Sequence, residues 1–141
     1  MPQQKSNVNE KYLELQILNQ QIKQLQQQII NLENQIIELE VLEDNLNELK
    51  KVKEGTEILV SMGAGIFAKA QLKDNKKVIV NVGSSTMVKK EIDEAKTLVT
   101  DQVNQMKQII NEITEELEKA AVRIQGAQKE IQEMMESSKK P

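Results

Sequence analysis

Two stretches of nearly equal length, about residues 8–52 and 91–135, carry apolar residues at alternating spacings of three and four, a pattern that leaves a chain few folds other than a coiled coil. In the first, Leu15, Ile22, Ile29 and Ile36 fall at one heptad position and Leu18, Leu25, Leu32, Leu39 and Leu46 at the other. The phase slips after Leu39, where Leu42 replaces the expected Glu43. In the second, Val103, Ile110, Leu117, Ile124 and Ile131 alternate with Met106, Ile113, Ala120, Ala127 and Met134, and Ile92, Ala95 and Val99 continue the stripe upstream after one four-four step. At about 1.5 Å rise per residue each helix runs about 65 Å, so the two match in reach and are expected to pair with each other.

Ile at a with Leu at d also suits a parallel zipper between two chains, which fits most of the first stretch taken alone. An intramolecular antiparallel pair is favoured because one constant reflection matches Leu15 with Ala127, Leu18 with Ile124, Ile22 with Ala120, Leu25 with Leu117, Ile29 with Ile113, Leu32 with Ile110, Ile36 with Met106 and Leu39 with Val103. Past the slip the reflection moves by one residue, to Leu42 with Val99, Leu46 with Ala95 and Leu49 with Ile92. Layers near the chain ends have the small partners Ala120 and Ala127, and each under-filled layer forfeits about 1 kcal/mol of apolar burial. That part of the coil is expected to open more readily.

Composition agrees with paired helices. One Phe, one Tyr and no Trp among 141 residues leave little with which to fill a round core, and the length suits a single domain spanning 1–141. A net charge of -3 with 29% charged residues gives a mixed surface without the basic excess that nucleic-acid binding requires. The absence of Cys excludes a disulfide framework and suits a reducing compartment. The opening residues MPQQKSN lack an apolar signal core, and no apolar run approaches the roughly 18 residues of a membrane span, so a soluble, cytoplasmic chain with no membrane partner is expected. The polar head through about Asn7 and the tail after Glu136 are expected to be loose.

Between the helices the period changes to two. Ile58, Val60 and Met62 alternate with Leu59 and Ser61; Ile66, Ala68, Ala70 and Leu72 with Phe67, Lys69 and Gln71; Val78, Val80 and Val82 with Ile79 and Asn81; and a fourth short segment runs from Thr86 to Lys89. The first helix should end near Gly55. Gly63-Ala64-Gly65 and Gly83-Ser84-Ser85 form tight reversals, and Lys73 to Lys76 a polar connector. The expected fold is therefore α+β and predominantly α. A helix over 8–53 and another over 90–136 form a long antiparallel coiled-coil hairpin, joined by two β-hairpins over 57–89 at the bend. Two hairpins with unpaired edges and apolar residues on both faces are marginal alone, which points to oligomerisation through Ile58, Val60, Met62, Ile66, Phe67, Ala68, Leu72, Val78, Val80, Val82 and Met87, with turns at Gly63, Gly65 and Gly83. The plainer alternative is that the hairpins only cap their own coil.

Catalytic constellations are mostly absent. Without His or Cys the usual nucleophile and base pairs and most transition-metal ligands are missing, so neither an enzyme nor a cofactor or metal site is expected. Glu38, Glu40, Glu43 and Asp44 fit a solvated helix face better than a carboxylate cluster. Gly63, Gly65 and Ala68 match G-x-G-x-x-A, but a dinucleotide site needs a helix to open there, and Ile66 to Leu72 alternates like a strand.

Helix, then GTEILVSMGAGIFAKAQL, then KKVIVNVGSSTMVKKEIDEA leading into a second helix, resembles an α-class subunit of prefoldin, the archaeal and eukaryotic holdase chaperone, over nearly the whole chain. The two glycine turns, at Gly63-Ala64-Gly65 and Gly83-Ser84-Ser85, mark the α class, which has two hairpins where the β class has one. The resemblance implies that two α-class and four β-class subunits join their hairpins into a double β-barrel from which six coiled coils hang. It further implies that the tips, holding both chain ends, capture unfolded polypeptides and pass them without ATP to a group II chaperonin.

The residues themselves add a candidate client surface at those tips. Leu13 and Ile17 lie off the seam four apart on one helical face, and Val122 and Met135 lie off it on the other arm. Val8, Tyr12, Ile131 and Met134 belong to or border the last layers, where fraying exposes them. A second stripe, Ile30, Ile37 and Val41, either faces a neighbouring chain or the β unit, since its position favours assembly over client contact, or is surface variation with no role. Two readings stand: a client-holding chaperone subunit, and a structural coiled-coil protein that builds a scaffold or filament through its β unit.

Overall fold

The computed structural model describes residues 2–139, with side chains for 7–137. Helix α1 (Pro2–Lys51) is followed by strands β1 (Glu57–Gly63), β2 (Ile66–Gln71), β3 (Lys77–Asn81) and β4 (Met87–Glu91) and by helix α2 (Ile92–Lys139). Both helices extend beyond the expected bounds of 8–53 and 90–136 at the chain ends, and β4 lies slightly later than Thr86 to Lys89. The head through Asn7 and the tail after Glu136, expected to be loose, are helical from Pro2 and as far as Lys139. Two compact units divide the chain: a chain-end unit, Met1–Asn34 with Met106–Pro141, and a hairpin unit, Gln35–Gln105.

In the chain-end unit the two helical segments run antiparallel within one chain. Lys11 Nζ meets Glu130 Oε2 at 2.6 Å, while residues 17–21 of α1 border the same groove as Arg123, so rising numbers on α1 meet falling numbers on α2. This favours the fold-back over the parallel zipper. Leu18, Ile113, Ala120, Ala127 and Ile131 are buried, and Leu15, Ile22, Leu25, Ile29, Leu32, Ile110, Leu117 and Ile124 are half-buried, as a two-helix seam requires. Lys11 lies seven residues before Leu18 and so occupies a seam position, half-buried. Its stem can cover apolar surface while its ammonium reaches Glu130 and Glu14.

The hairpin unit has its core in Ile36, Leu46, Ile92, Ala95, Val99 and Val103, with Ile92 only 1% exposed. One expectation is overturned here. Leu42 is 42% exposed, whereas Glu43 takes the half-buried position. The heptad therefore continues through Glu43 to Leu46, and the phase changes afterwards, where Leu49 is half-buried three residues on. A glutamate stem is long enough to lie in a seam with its carboxylate in water, so a pattern read from hydrophobicity alone shifts to the neighbouring leucine.

Helix α1 ends on Lys50 and Lys51 and α2 opens with Asp93 and Glu94, each favourable to its helix dipole. Lys50 and Asp93 pair with each other, and the hydrogen bond from Lys50 holds the Asp93 carboxyl below its ordinary value. Gly55 lies four residues past the helix rather than directly on its end. It has φ +85° in the turn closed by the Thr56 N–H donating to the Lys53 carbonyl at 3.2 Å, which fits a glycine at the third position of a type II turn.

Among the described residues β1 pairs only with β2 and β3 only with β4, both antiparallel, giving two separate two-stranded sheets. Ala64 and Gly65 turn the first hairpin with φ of 52° and 79°, and Ser84 and Ser85 the second with 48° and 64°; positive φ at both central residues is the type I′ geometry that matches strand twist. In the connector the Asp74 carboxylate accepts the N–H groups of Lys76 at 2.8 Å and Lys77 at 3.2 Å. Asn75 Nδ2 donates to the Val52 carbonyl at 3.0 Å, fastening the connector to the segment after α1.

Candidate functional site

Among the described residues no group of three or more Asp, Glu, His or Cys is placed to hold a metal ion, and no helix is long and apolar enough to cross a membrane. The glycines of the G-x-G-x-x-A match lead into strand β2 rather than a helix, so the backbone N–H groups that would receive a phosphate are not presented there. What the chain offers instead is apolar surface, in a different form in each unit.

In the chain-end unit the seam uses up only one stripe of each helix. Tyr12, Leu13 and Ile17 on α1 and Val122 and Met135 on α2 remain exposed, Leu13 by 57% and Val122 by 67%. Tyr12 Oη lies 3.9 Å from Met135 Sδ and joins the two helical segments at the surface. Leu13 and Ile17, one turn apart, share a shallow groove with Leu18, edged by Glu10 and Glu14 and by Arg123 from the other helix. Val122 and Arg123 border a second depression with Glu115, Glu118 and Lys119.

Three of the expected residues, Val8, Ile131 and Met134, belong to the last seam layers. Ile131 is buried and Val8 and Met134 are half-buried, so they close layers of the seam, as the spacing of Ile131 and Met134 from Ala127 and of Val8 from Leu15 dictates, and become accessible where those layers open. Above them Lys11 ties the helices, its ammonium raised above its ordinary pKa by hydrogen bonds to Glu130 and then Glu14. The groove's polar edge of Glu10 and Arg123 escaped the sequence reading, since these are ordinary charged helix positions until the fold brings them together. Ile30 and Ile109 in this unit, and Ile37 and Val41 in the hairpin unit, are exposed as well.

In the hairpin unit each sheet has one half-buried face and one open face. The register Ile58↔Ala70 and Val60↔Ala68 puts these four on one face, where Ile58, Ala68 and Ala70 are half-buried. Leu59 and Phe67 lie on the other face, both exposed. In the second hairpin Val78 and Val80 are half-buried, while Ile79 and Met87 are exposed on the opposite face. Leu72 is half-buried, and Met62, Ile66 and Val82 near the turns are exposed. Leu59, Ile79 and Val88 were not among the expected contact residues although they are exposed. The strand alternation contained the signal for the first two, because the apolar residue between two inward ones has to face out.

The family model for the prefoldin subunit matches residues 18–137. The chain is similar to the prefoldin α subunit of Pyrococcus horikoshii, 30% identical over 137 residues that cover 96% of this chain and 93% of that one. It is also similar to that of Archaeoglobus fulgidus, 28% identical over 124 residues that cover 88% and 90%. Among solved structures, a chain of the filamentous PFD from Methanocaldococcus jannaschii, determined by cryo-EM, shares the fold with a TM-score of 0.78 at 22% identity, covering 84% of this chain and 98% of that chain.

Proposed function

Because the chain belongs to the prefoldin family, as an α-class subunit, we propose that it is one component of an ATP-independent holdase that captures unfolded polypeptides in the cytoplasm and delivers them to a group II chaperonin. Prefoldin subunits are chaperones rather than enzymes, and they assemble with other prefoldin subunits. The whole of 1–141 acts as one prefoldin-like domain in this reading, in a hexamer with a second α-class and four β-class chains. Assembly uses the apolar hairpin faces, including Ile58, Val60, Phe67, Val78, Val80 and Met87. Client capture uses Tyr12, Leu13, Ile17, Val122 and Met135, with Val8, Ile131 and Met134 reached when the seam opens.

The observation that carries this reading is the group of large apolar side chains left exposed in the chain-end unit, off a seam that is otherwise filled. Leu13 and Ile17 share one groove with Leu18, which distinguishes them from single exposed hydrophobes of the ordinary kind. Flexible Met135 and the broad face of Tyr12 suit varied partners. The test is aggregation of a chemically unfolded client followed by light scattering, with the assembled complex carrying Leu13→Glu and Ile17→Glu. Losing about 1 kcal/mol of apolar contact at each position should raise the chaperone concentration needed by about tenfold or more. Equal protection by the variant, with native mass showing an intact complex, rejects this surface.

A scaffold or filament is the second reading, and the unpaired edges of both two-stranded sheets favour it. The filamentous assembly of the Methanocaldococcus jannaschii protein of the same fold is in keeping with it. Native mass measurement separates the two: a discrete mixed complex with a β-class chain supports the holdase, and open-ended growth of this chain alone supports the filament.

A further inference from the structure

The seam of the chain-end unit is apolar at every position from Val8 to Leu32 on α1 and from Met106 to Met134 on α2, with the exception of Lys11. Lys11 lies between Val8, which with Ile131 and Met134 closes the last layers, and the apolar run that begins at Leu15. Its half-buried stem covers apolar surface, but its ammonium has to stay at the rim of the seam. There Glu130 Oε2 of the other helix lies 2.6 Å away, and Glu14 Oε2 of its own helix 3.3 Å away. Among the described residues the ion pair of Lys11 with Glu130 is the one that joins the two helical segments of this unit. The neighbouring Tyr12 meets Met135 through a neutral contact. The Lys11 and Glu130 side chains are 29% and 52% exposed, so both charges stay open to salt. Screening shortens the reach of such charges from about 30 Å in 10 mM salt to about 3 Å at 1 M. Layers held by apolar burial lack that response.

We propose that Lys11 and Glu130 form a charge-operated latch on the last layers of the seam, through which ionic strength sets how readily Val8, Ile131 and Met134 are uncovered for a client. With the latch closed, the pair holds the two segments together at the seam position where apolar burial is least complete. With it open, both groups are hydrated, so parting the helices costs less there than at Leu18 or Ile113, whose apolar side chains are buried. Glu14 sits on the same helix as Lys11 and keeps its contact whether the seam is shut or open, so it adds nothing to the latch. Lys11 acts through the seam and not by touching a client, which makes it a positioning residue. The link to capture rests on the client reading above.

The experiment follows amide hydrogen exchange of the full chain by NMR from about 10 mM to about 1 M sodium chloride, for wild type, Lys11→Met, Lys11→Arg, Glu130→Gln and Glu14→Gln. In wild type the amides of residues 8–15 and 127–134 should exchange about two- to fivefold faster at the highest salt, while those around Ile29 and Ile113 should not change. Glu130→Gln should exchange that fast at low salt already. Lys11→Met, with an apolar side chain of similar length, should exchange more slowly than wild type, and neither variant should respond to salt. Lys11→Arg and Glu14→Gln keep the charges of the latch and should keep the response. Aggregation of an unfolded client, compared among assembled complexes at low salt, should be suppressed better by Glu130→Gln and less well by Lys11→Met than by wild type. Exchange in wild type that is indifferent to salt, a response that survives in Glu130→Gln or Lys11→Met, or one that is lost in Glu14→Gln overturns the latch and leaves client capture standing. So does client protection that neither variant moves. A wild-type complex that protects no client at any salt overturns both the latch's role and the reading it rests on.

Discussion

Gly126 offers a way to test whether the chain-end unit must open to hold a client. It sits inside helix α2 in the chain-end unit, one turn beyond the exposed Val122, and a Cβ built there meets no heavy atom within 4 Å. Gly126→Ala therefore adds no clash and removes a helix-interior glycine, which is worth about 1 kcal/mol of helix stability. If amides of that segment exchange through local opening, the opening constant should fall about fivefold. Native-state hydrogen exchange resolved by NMR or peptide mass reads this directly, with residues 35–105 as the internal control. The seam expectation was that layers closed by Ala120 and Ala127 open readily, and both alanines are buried. A client that needs Ile131 and Met134 should then be held less well by the stiffened variant. Slower exchange with unchanged client protection would refute the link between opening and capture.

Other consequences follow from single residues. Ile92→Ala should cost about 3 kcal/mol in chemical denaturation, since Ile92 is the most fully buried side chain in the hairpin unit; Leu42→Ala should cost less than about 1 kcal/mol, and a larger loss would restore Leu42 to the seam. Gly83, at φ +122°, should tolerate Ala only at a cost of about 2 kcal/mol, whereas Ser85→Gly, at φ +64°, should slow exchange of the β3–β4 amides by relieving about 1 kcal/mol of left-handed strain. The Asp74 carboxyl is held below its ordinary value of 3.8 mainly by the Lys76 N–H, with help from the Lys77 N–H and the charges of Lys89 and Lys77. A depressed folded pKa contributes stability that is present above the ordinary value and lost as pH falls through the lower one. Protection of the Lys76 and Lys77 amides should accordingly hold from neutral pH to about 4 and fail below it, and Asp74→Ala should abolish it at every pH.

Much of this fold was legible because its period is regular. The seam residues of α2 from Ile92 to Met134 are all buried or half-buried. The turns were legible because Gly63, Gly65 and Gly83 mark positive φ, although Ala64, Ser84 and Ser85 adopt it too and carry no such mark. What escaped was whatever depends on a long side chain having two ends. Glu43 and Lys11 occupy seam positions through their stems, and a scale that scores whole residues assigns them to water. The client surface was legible in part for a related reason. Leu13, Ile17 and Val122 stand off the stripe and must be exposed, but Ile131 lies on it and is buried however close it is to the chain end. That Lys89 and Glu91 share a face with Lys77 and Ile79 needed the strand register, because only pairing relates one strand to the other.

Site-specific photo-crosslinking measures most directly whether the exposed apolar residues of the chain-end unit hold clients. A photoreactive amino acid is placed singly at Leu13, Ile17, Val122, Leu59 or Ile79 of the assembled complex, which is then irradiated with an unfolded client bound. Crosslinks to client from positions 13, 17 and 122, with little from 59 and 79, are the expected result. Client crosslinks that come chiefly from 59 and 79, or equally from all five, would contradict the account.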